Sequence, residues 1–324
     1  MEKSTVLSIG TFDGVHIGHR ALIARAREIA GRGRVVALAF DPHPATLLRP
    51  AEAPVRLSTF EEKELLLSRA GADEVVNIEP TSDLLNRSAE DFMTGIVARY
   101  SPRAIVEGSD FHFGRGRSGT IATLRELGMR LGFEAAVVAP VLVGLDDQLL
   151  AKASSSLIRW LLRHARVRDA ARVLGRPFVL HGHVVQGDRR GRTIGFPTAN
   201  VSTPCTPPAN GIYAGRCELP DGTSFPCAMS IGTRPTFDGQ DRRVEVHILL
   251  PSARRSPGGS GPIPGLPEYG WPIRVTFDAF LRDEVRFASV NALVDQMHRD
   301  CARAVDLVPH VGALPSRGRT PACP

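Results

Sequence analysis

SIGTFDGVHIGHRALIARARE, residues 8–28, places glycines, an aspartate and two histidines between an apolar run and an amphipathic one. Residues 6–9 read as a buried strand, 10–15 as a glycine-bearing turn, and the chain from Gly18 onward as a helix. That order sets His16 and His19 at the helix's N-terminal end, where unpaired backbone N–H groups and the helix dipole converge into an anion site. Two imidazoles three residues apart can both face one anion, donating hydrogen bonds to phosphate oxygens and stabilising charge that builds there during transfer. Gly10, Gly14 and Gly18 let the backbone approach such a ligand without a Cβ in the way. An isolated HxGH is as readily a pair of surface histidines beside turn glycines; the strand before it and the helix after it favour the anion site.

Outward from this motif, short apolar runs at 6–9, 35–40, 74–78, 104–107 and 135–138 alternate with helical segments, the pattern of a parallel sheet covered on both faces. The helix at 20–30 stops at Gly31 and the one at 61–70 at Gly71. Ser88, with Asp91 three residues on, predicts a capping box opening a helix at 89–100. Helices at 155–164 and 168–174, stopped by Gly175, close this half. From Arg176 the pattern changes. Segments 178–186, 211–219, 225–231, 244–250 and 273–281 are β-branched or alternating and separated by Gly, Pro and Asp turns, as in a small antiparallel barrel. One amphipathic helix at 290–305 finishes it. The Ser/Gly/Pro-rich segment 251–267 reads as an insertion between strands, and no internal repeat is present. The expected organisation is a first domain over 1–175, a second over 176–306 and a disordered tail over 307–324.

Composition narrows the function classes. Of the 324 residues 43% are hydrophobic, ordinary for a globular chain long enough for two domains. The N-terminus MEKSTVLSIG lacks a signal-peptide layout, and the longest apolar run, 135–145, is interrupted by Pro140 and too short to span a bilayer. A cytoplasmic protein without membrane contact is expected. Cys205, Cys217, Cys227, Cys301 and Cys323 form an odd set without a CxxC pair, which predicts reduced thiols rather than disulfides or a zinc site. The net charge of +6 could serve nucleic acid, but it is scattered rather than gathered in one tract, and anionic small molecules such as nucleotides fit it equally well; no nucleic-acid partner is expected. Oligomeric state is left open.

The second informative stretch is GHVVQGDRRGRTIGFPTANV, residues 182–201. Its glycine-rich basic turn runs into an extended segment that sets the Thr198 hydroxyl and the Asn200 amide oxygen on one side, two residues apart. Such hard oxygen donors suit Mg²⁺ carried with phosphate, although PTAN alone is also ordinary turn chemistry. Downstream, Val244, Val246 and Ile248 alternate with Glu245 and His247, so the carboxylate leaves the strand opposite the apolar side chains. Beside a metal-bound nucleotide it could take a proton from an attacking alcohol; on an open face it would simply be solvated.

These residues carry a resemblance. GTFDGVHIGH (10–19) resembles the signature of the HxGH nucleotidyltransferases, in the form carried by the adenylyltransferase module of bacterial bifunctional riboflavin kinase/FAD synthetases. FDPHP (40–44), EGSDFHFGRGRSG (107–119) and SSSLIRWL (154–161) are similar to that module's later motifs. GHVVQG (182–187), GRTIGFPTAN (191–200), GIYAG (211–215), VEVHIL (244–249) and LRDEVRFASVNALVDQMHRD (281–300) resemble the kinase module, so the likeness covers about residues 5–305 in the family's order. It implies a Rossmann-like α/β nucleotidyltransferase domain, plus a small antiparallel β-barrel riboflavin kinase domain with a C-terminal helix. The implied activities are phosphorylation of riboflavin to FMN by ATP and adenylylation of FMN to FAD by a second ATP, with Mg²⁺. By the same resemblance His16 and His19 bind ATP phosphates. Gly10, Phe12, Asp13, Gly14, Gly18, Asp110, Ser155, Ser156 and Arg159 complete that nucleotide site, with Phe111 on the flavin. In the kinase module, Gly187, Arg192, Gly195 and Pro197 bind the nucleotide, Thr198 and Asn200 the Mg²⁺, Phe196 and Arg282 the flavin, and Glu245 is the base.

The chain departs from the family's pattern in places. After VEVHIL it reads LLPSARR and then the insertion, and EYG (268–270) stands where LYG is common. NIEPTSDLLNRSAEDF replaces the usual Phe-containing segment, and Leu157 stands where an arginine is common. Two alternatives therefore stay open: a paralogue with one active module or an altered flavin substrate, and a non-catalytic regulator that binds flavin or nucleic acid.

Overall fold

The computed structural model describes residues 4–236, 239–254 and 261–308. The expected tail from 309 and part of the 251–267 insertion lie outside these residues. The chain divides into two compact units, residues 1–157 with 173–175, and 158–172 with the chain from 176 onward.

The first unit is built on strands β1 (Thr5–Gly10), β2 (Arg34–Phe40), β3 (Glu74–Ile78), β4 (Pro102–Gly108) and β5 (Glu134–Val138), all parallel in the order β3-β2-β1-β4-β5. Apolar side chains alternate between its faces. Val6, Val35, Ala37, Ala39, Ala104 and Val106 join Ile23, Ala26 and Leu67 in one core, whereas Leu7, Ile9, Val36, Leu38 and Ile105 join Phe92, Met93, Leu124 and Leu127 in the other. Burial on both faces is why these strands read as continuous apolar runs. Strand order reverses between β1 and β4, so their C-terminal ends open the crevice where open parallel sheets place ligands.

Helices α1 (Ile17–Ala30), α2 (Ala45–Leu48), α3 (Phe60–Ala70), α4 (Ser82–Asn86), α5 (Ala89–Tyr100) and α6 (Ile121–Leu131) connect the strands. The box expected at Ser88 is one-sided: the Asp91 N–H donates to Ser88 Oγ at 3.0 Å, but the Asp91 carboxylate takes the Ser88 hydroxyl rather than the Ser88 N–H. The reciprocal box is at Thr120 and Thr123, opening α6, which the sequence reading did not anticipate. A hairpin of β6 (Leu142–Gly144) and β7 (Leu150–Lys152) leads to α7 (Ser155–Arg163) and α8 (Val167–Leu174).

The second unit contains β8 (Phe178–Val185), the short α9 (Arg190–Thr193), β9 (Ala199–Ser202), β10 (Gly211–Glu218), β11 (Ser224–Thr236), β12 (Gly239–Ile248), β13 (Pro272–Phe277), β14 (Ala279–Arg282) and α10 (Val290–Leu307). Their order is β11-β12-β9-β8-β13-β10-β14, and β10 also pairs with β11, closing a six-stranded antiparallel ring with β14 appended. The single strand expected at 273–281 is two. Asp278 breaks it, its N–H donating to Ala214 O at 2.9 Å and its carboxylate accepting the Thr276 hydroxyl. Helix α10 packs Ala304 against Ala214, Ala228 and Ala279.

Candidate active sites

In the first unit the turn after β1 carries Phe12, Gly14 and Val15 at φ of 46°, 78° and 39°. A β-branched residue in that region is strained and persists only where its surroundings hold it. The buried Asp13 supplies the hold. Its carboxylate accepts the Leu57 and Ser58 N–H groups at 3.1 Å, Ser58 Oγ accepts the Gly14 N–H at 3.0 Å, and the Ser155 hydroxyl donates to the Asp13 carbonyl at 2.7 Å. Asp13 and Ser155, both expected on the nucleotide, are thus engaged with the turn itself.

His16 is the N-cap of α1. Its Nδ1 accepts the His19 N–H at 3.3 Å, which leaves the ring proton of the neutral imidazole on Nε2. The two imidazoles stack with centroids 3.6 Å apart, and Phe12 sits edge-on to His19 at 5.2 Å. Glycine at position 18 leaves room for the His16 ring, since a Cβ there would lie 3.0 Å from its Cε1, a tight approach. Burial, then the neighbouring His16 and Lys63, holds the His19 pKa well below its ordinary value, so this ring is neutral at neutral pH. Its buried Nδ1 has no hydrogen-bond partner among the described residues.

Four charged residues beside this turn, Asp41, Arg56, Lys63 and Glu107, were given no role by the sequence reading. Lys63, on α3 and 3% exposed, donates to Asp41 Oδ1 at 2.7 Å, Phe40 O at 3.1 Å and Thr11 O at 3.4 Å. Arg56 pairs with the same Asp41 at 2.8 Å, and all three line a pocket with His43 and Thr46. A signal for Lys63 existed: Phe60, Lys63 and Leu67 fall on one helical stripe, which puts a charge on the buried face. The buried Glu107, at the end of β4, accepts the Ile9 N–H at 2.6 Å, and its carboxyl is pushed well above the ordinary range by burial.

The remaining expected residues scatter. Exposed Asp110 pairs with Lys152 at 2.7 Å, a bond that lowers its pKa, and Phe111 stacks on Phe113 at 5.4 Å. Ser156 is exposed in the first unit, whereas the buried Arg159 belongs to the second.

In the second unit, β9 and β12 place Asn200 directly opposite Glu245, with Val246 opposite Ala199. Opposed residues of an antiparallel pair share a face, so Asn200 and Glu245 stand on one face and Thr198 precedes them in the extended entry to β9. A cleft there is lined by Gly187, Arg192, Gly195, Pro197, Thr198 and Asn200, with Arg189, His247, Glu268 and Tyr269. Half-buried Glu245 is not among its lining residues, and it lies near enough to Glu284 that, with burial and against Arg282, it helps raise the Glu284 pKa. His247 lies 2.8 Å through Nδ1 from Pro197 O; a carbonyl only accepts, so Nδ1 carries the proton.

Phe196 is buried against the rings of His247 and His298, at 5.2 and 4.9 Å. Arg282 is bound by Asp300 of α10 through Nη2 at 2.7 Å and Nε at 3.1 Å. Among the described residues no group of three His, Cys, Asp or Glu could hold a bare metal ion. Neutral oxygens from Thr198 and Asn200 fit instead an ion that arrives with a polyphosphate, and a Cβ at Gly187 would fill the space the Asn200 amide occupies.

Comparison with known proteins agrees with this division. The FAD synthetase family model matches residues 1–150 and the riboflavin kinase model residues 174–308. The bifunctional riboflavin kinase/FMN adenylyltransferase of Escherichia coli K12 is 35% identical over 308 residues, covering 92% of this chain and 91% of its own. The proteins of that name from Pseudomonas fluorescens and Listeria monocytogenes are 34% and 32% identical, covering 93% and 91% of this chain and 92% and 90% of their own. A solved structure described as a macrolide-efflux protein from Streptococcus pneumoniae is 29% identical, covers 93% of each chain and superposes with a TM-score of 0.79, so it shares the fold. Among the described residues no helix is long and apolar enough to cross a membrane. With both family models matching successive stretches of the chain and relatives matching along almost its whole length, this protein belongs to the bifunctional riboflavin kinase/FMN adenylyltransferase family.

Proposed function

We propose that the two activities divide at about residue 175, riboflavin kinase in the barrel over 176–306 and FMN adenylyltransferase in the α/β domain over 1–175, with the residue roles that follow. The chain phosphorylates riboflavin to FMN and converts FMN to FAD, each step using ATP. The observation that carries the assignment of roles is the register that sets Glu245 opposite Asn200 on the face of the nucleotide cleft.

In the kinase step Glu245 takes the proton of the ribityl 5′-hydroxyl as its oxygen attacks the γ-phosphorus of ATP; the bond to the β-phosphate oxygen breaks and ADP leaves. Thr198 and Asn200 hold the nucleotide with Mg²⁺, which neutralises phosphate charge when bound. Pro197 is fixed through its carbonyl by His247. In the adenylyl step an FMN phosphate oxygen attacks the α-phosphorus of ATP and pyrophosphate leaves. The nucleophile is already an anion, so the protein supplies position and charge stabilisation rather than a base. His16 Nε2–H, whose tautomer the helix cap sets, and the neutral His19 donate to the phosphates. Use of ATP supports a cytoplasmic setting, and neither step calls for a nucleic acid.

Chromatography of flavins over time tests the roles. Glu245→Gln is expected to stop FMN formation from riboflavin yet make FAD from supplied FMN. His19→Ala is expected to make FMN while FAD formation falls about 10²–10³-fold, the usual loss for one such donor. Loss of both steps in either variant would refute separate sites. A wild-type chain that performs only one step would favour the single-module paralogue.

A further inference from the structure

Glu268, in the EYG segment, lies beside the basic loop of the cleft, and the structure gives this carboxylate two arginines and a tyrosine as neighbours. Its Oε1 receives Arg192 Nη2 at 2.8 Å, the Tyr269 hydroxyl at 3.1 Å and Arg189 Nη2 at 3.3 Å. Arg189 also donates through Nε to the Tyr269 oxygen at 3.0 Å, with its guanidinium 5.8 Å from that ring's centre. All four residues line the cleft that contains Thr198 and Asn200.

A single oxygen anion receiving two guanidinium groups and a hydroxyl is in the surroundings that arginine clusters offer a phosphate oxygen. Arg192 lies six residues before Thr198 in the same glycine-bearing loop, so a polyphosphate held at Thr198 and Asn200 lies within the reach of this loop's cations. We propose that Glu268 is a built-in competitor for the nucleotide: it occupies the Arg189–Arg192 seat in the free protein, is displaced by the polyphosphate of ATP, and thereby weakens nucleotide binding and eases ADP departure. This rests on the kinase reading of the barrel. Burial of Glu268 would by itself raise its pKa, but Arg192 and Tyr269 outweigh that and hold it low, so the competitor is an anion at neutral pH.

The alternative is a structural role, in which the ion pairs hold the arginines ready and their loss weakens binding. The two roles predict opposite signs. Binding of MgADP to the full chain, measured by calorimetry, and the KM for ATP in FMN formation are compared in wild type, Glu268→Gln, Arg192→Ala and the double variant. The ion pairs are partly exposed, so relief of competition is expected to tighten MgADP and lower KM about two- to five-fold, with kcat unchanged or raised. Arg192→Ala should weaken binding and abolish the gain from Glu268→Gln. An unchanged or weaker MgADP affinity in Glu268→Gln, with wild-type melting temperature, overturns the proposal. A wild type that makes no FMN yet binds MgADP more tightly as Glu268→Gln would instead fault the kinase reading and leave the competition standing.

Discussion

Removing the Asp13 carboxylate separates the fold's requirement for this residue from any direct part in binding ATP. In Asp13→Ala the N–H groups of Leu57 and Ser58 lose their acceptor at positions 2% and 3% exposed, where water is not at hand to replace it. An orphaned buried donor costs about 1–3 kcal/mol, and the variant is also freed from desolvating a carboxylate, so a net loss of about 3 kcal/mol is expected. For a unit of this size that corresponds to a melting temperature lower by about 6–12 °C. Calorimetry is the assay, because a chain of two units need not melt in one transition. The first unit's transition should fall while the barrel's stays. Asp13→Asn, with one amide oxygen for two carboxylate oxygens, should lie between. The strained turn carries His16 and His19, so FAD formation should decline in the same order while FMN formation persists. A first transition within a degree of wild type, or FAD formation lost with no change in melting, would refute the reasoning and return Asp13 to the ligand.

Two further outcomes follow from buried charges beside this turn. The folded pKa of Glu107 is raised above its ordinary 4.5 by burial, countered only in part by the Ile9 N–H, so the folded chain keeps a proton that the unfolded chain releases. Its stabilisation is complete below pH 4.5 and is lost as pH rises toward the raised value. Glu107→Gln should flatten that decline in first-unit stability between mildly acidic and mildly alkaline buffer; an unchanged slope would count against it. Lys63→Met removes a positive charge that helps keep His19 neutral, so the His19 pKa followed by NMR should move up. A stationary His19 would show that burial and His16 account for the whole depression.

Much of the fold was legible because its signals are local. Strands β1, β2 and β4 are buried on both faces and so read as unbroken apolar runs, and Gly31 and Gly71 mark helix ends by their own conformational freedom. The histidine pair was legible for the same reason, since a strand, a turn and a helix start lie within one stretch. What escaped depends on partners distant in sequence. That the Asp13 carboxylate also serves Leu57 and Ser58, forty-four and forty-five residues on, is not visible within its own stretch. The pairing of Arg282 with Asp300 of α10 likewise depends on a partner eighteen residues away. The contacts of Lys63 come from the ends of two strands, and its helical stripe shows only that it is buried. Opposition of Glu245 to Asn200 required a strand register, which alternation within one strand does not supply.

That register has a consequence for how such a chain can change in length. Side chains on a strand alternate, so slipping β12 past β9 by one residue would turn Glu245 toward the barrel interior and expose Val244 and Val246, which are 2% and 0% accessible. The same one-residue deletion between 243 and 248 would therefore break the core and the pairing of Glu245 with Asn200 together, and no compensating substitution on one face could restore both. Beyond Ile248 the ladder with β11 no longer constrains the chain, and added loop length costs only logarithmically in closure entropy. Insertions and losses among relatives are expected to accumulate after Leu250, where the Pro/Gly-rich segment lies here, while the spacing from Val244 to Ile248 stays fixed by packing and register at once.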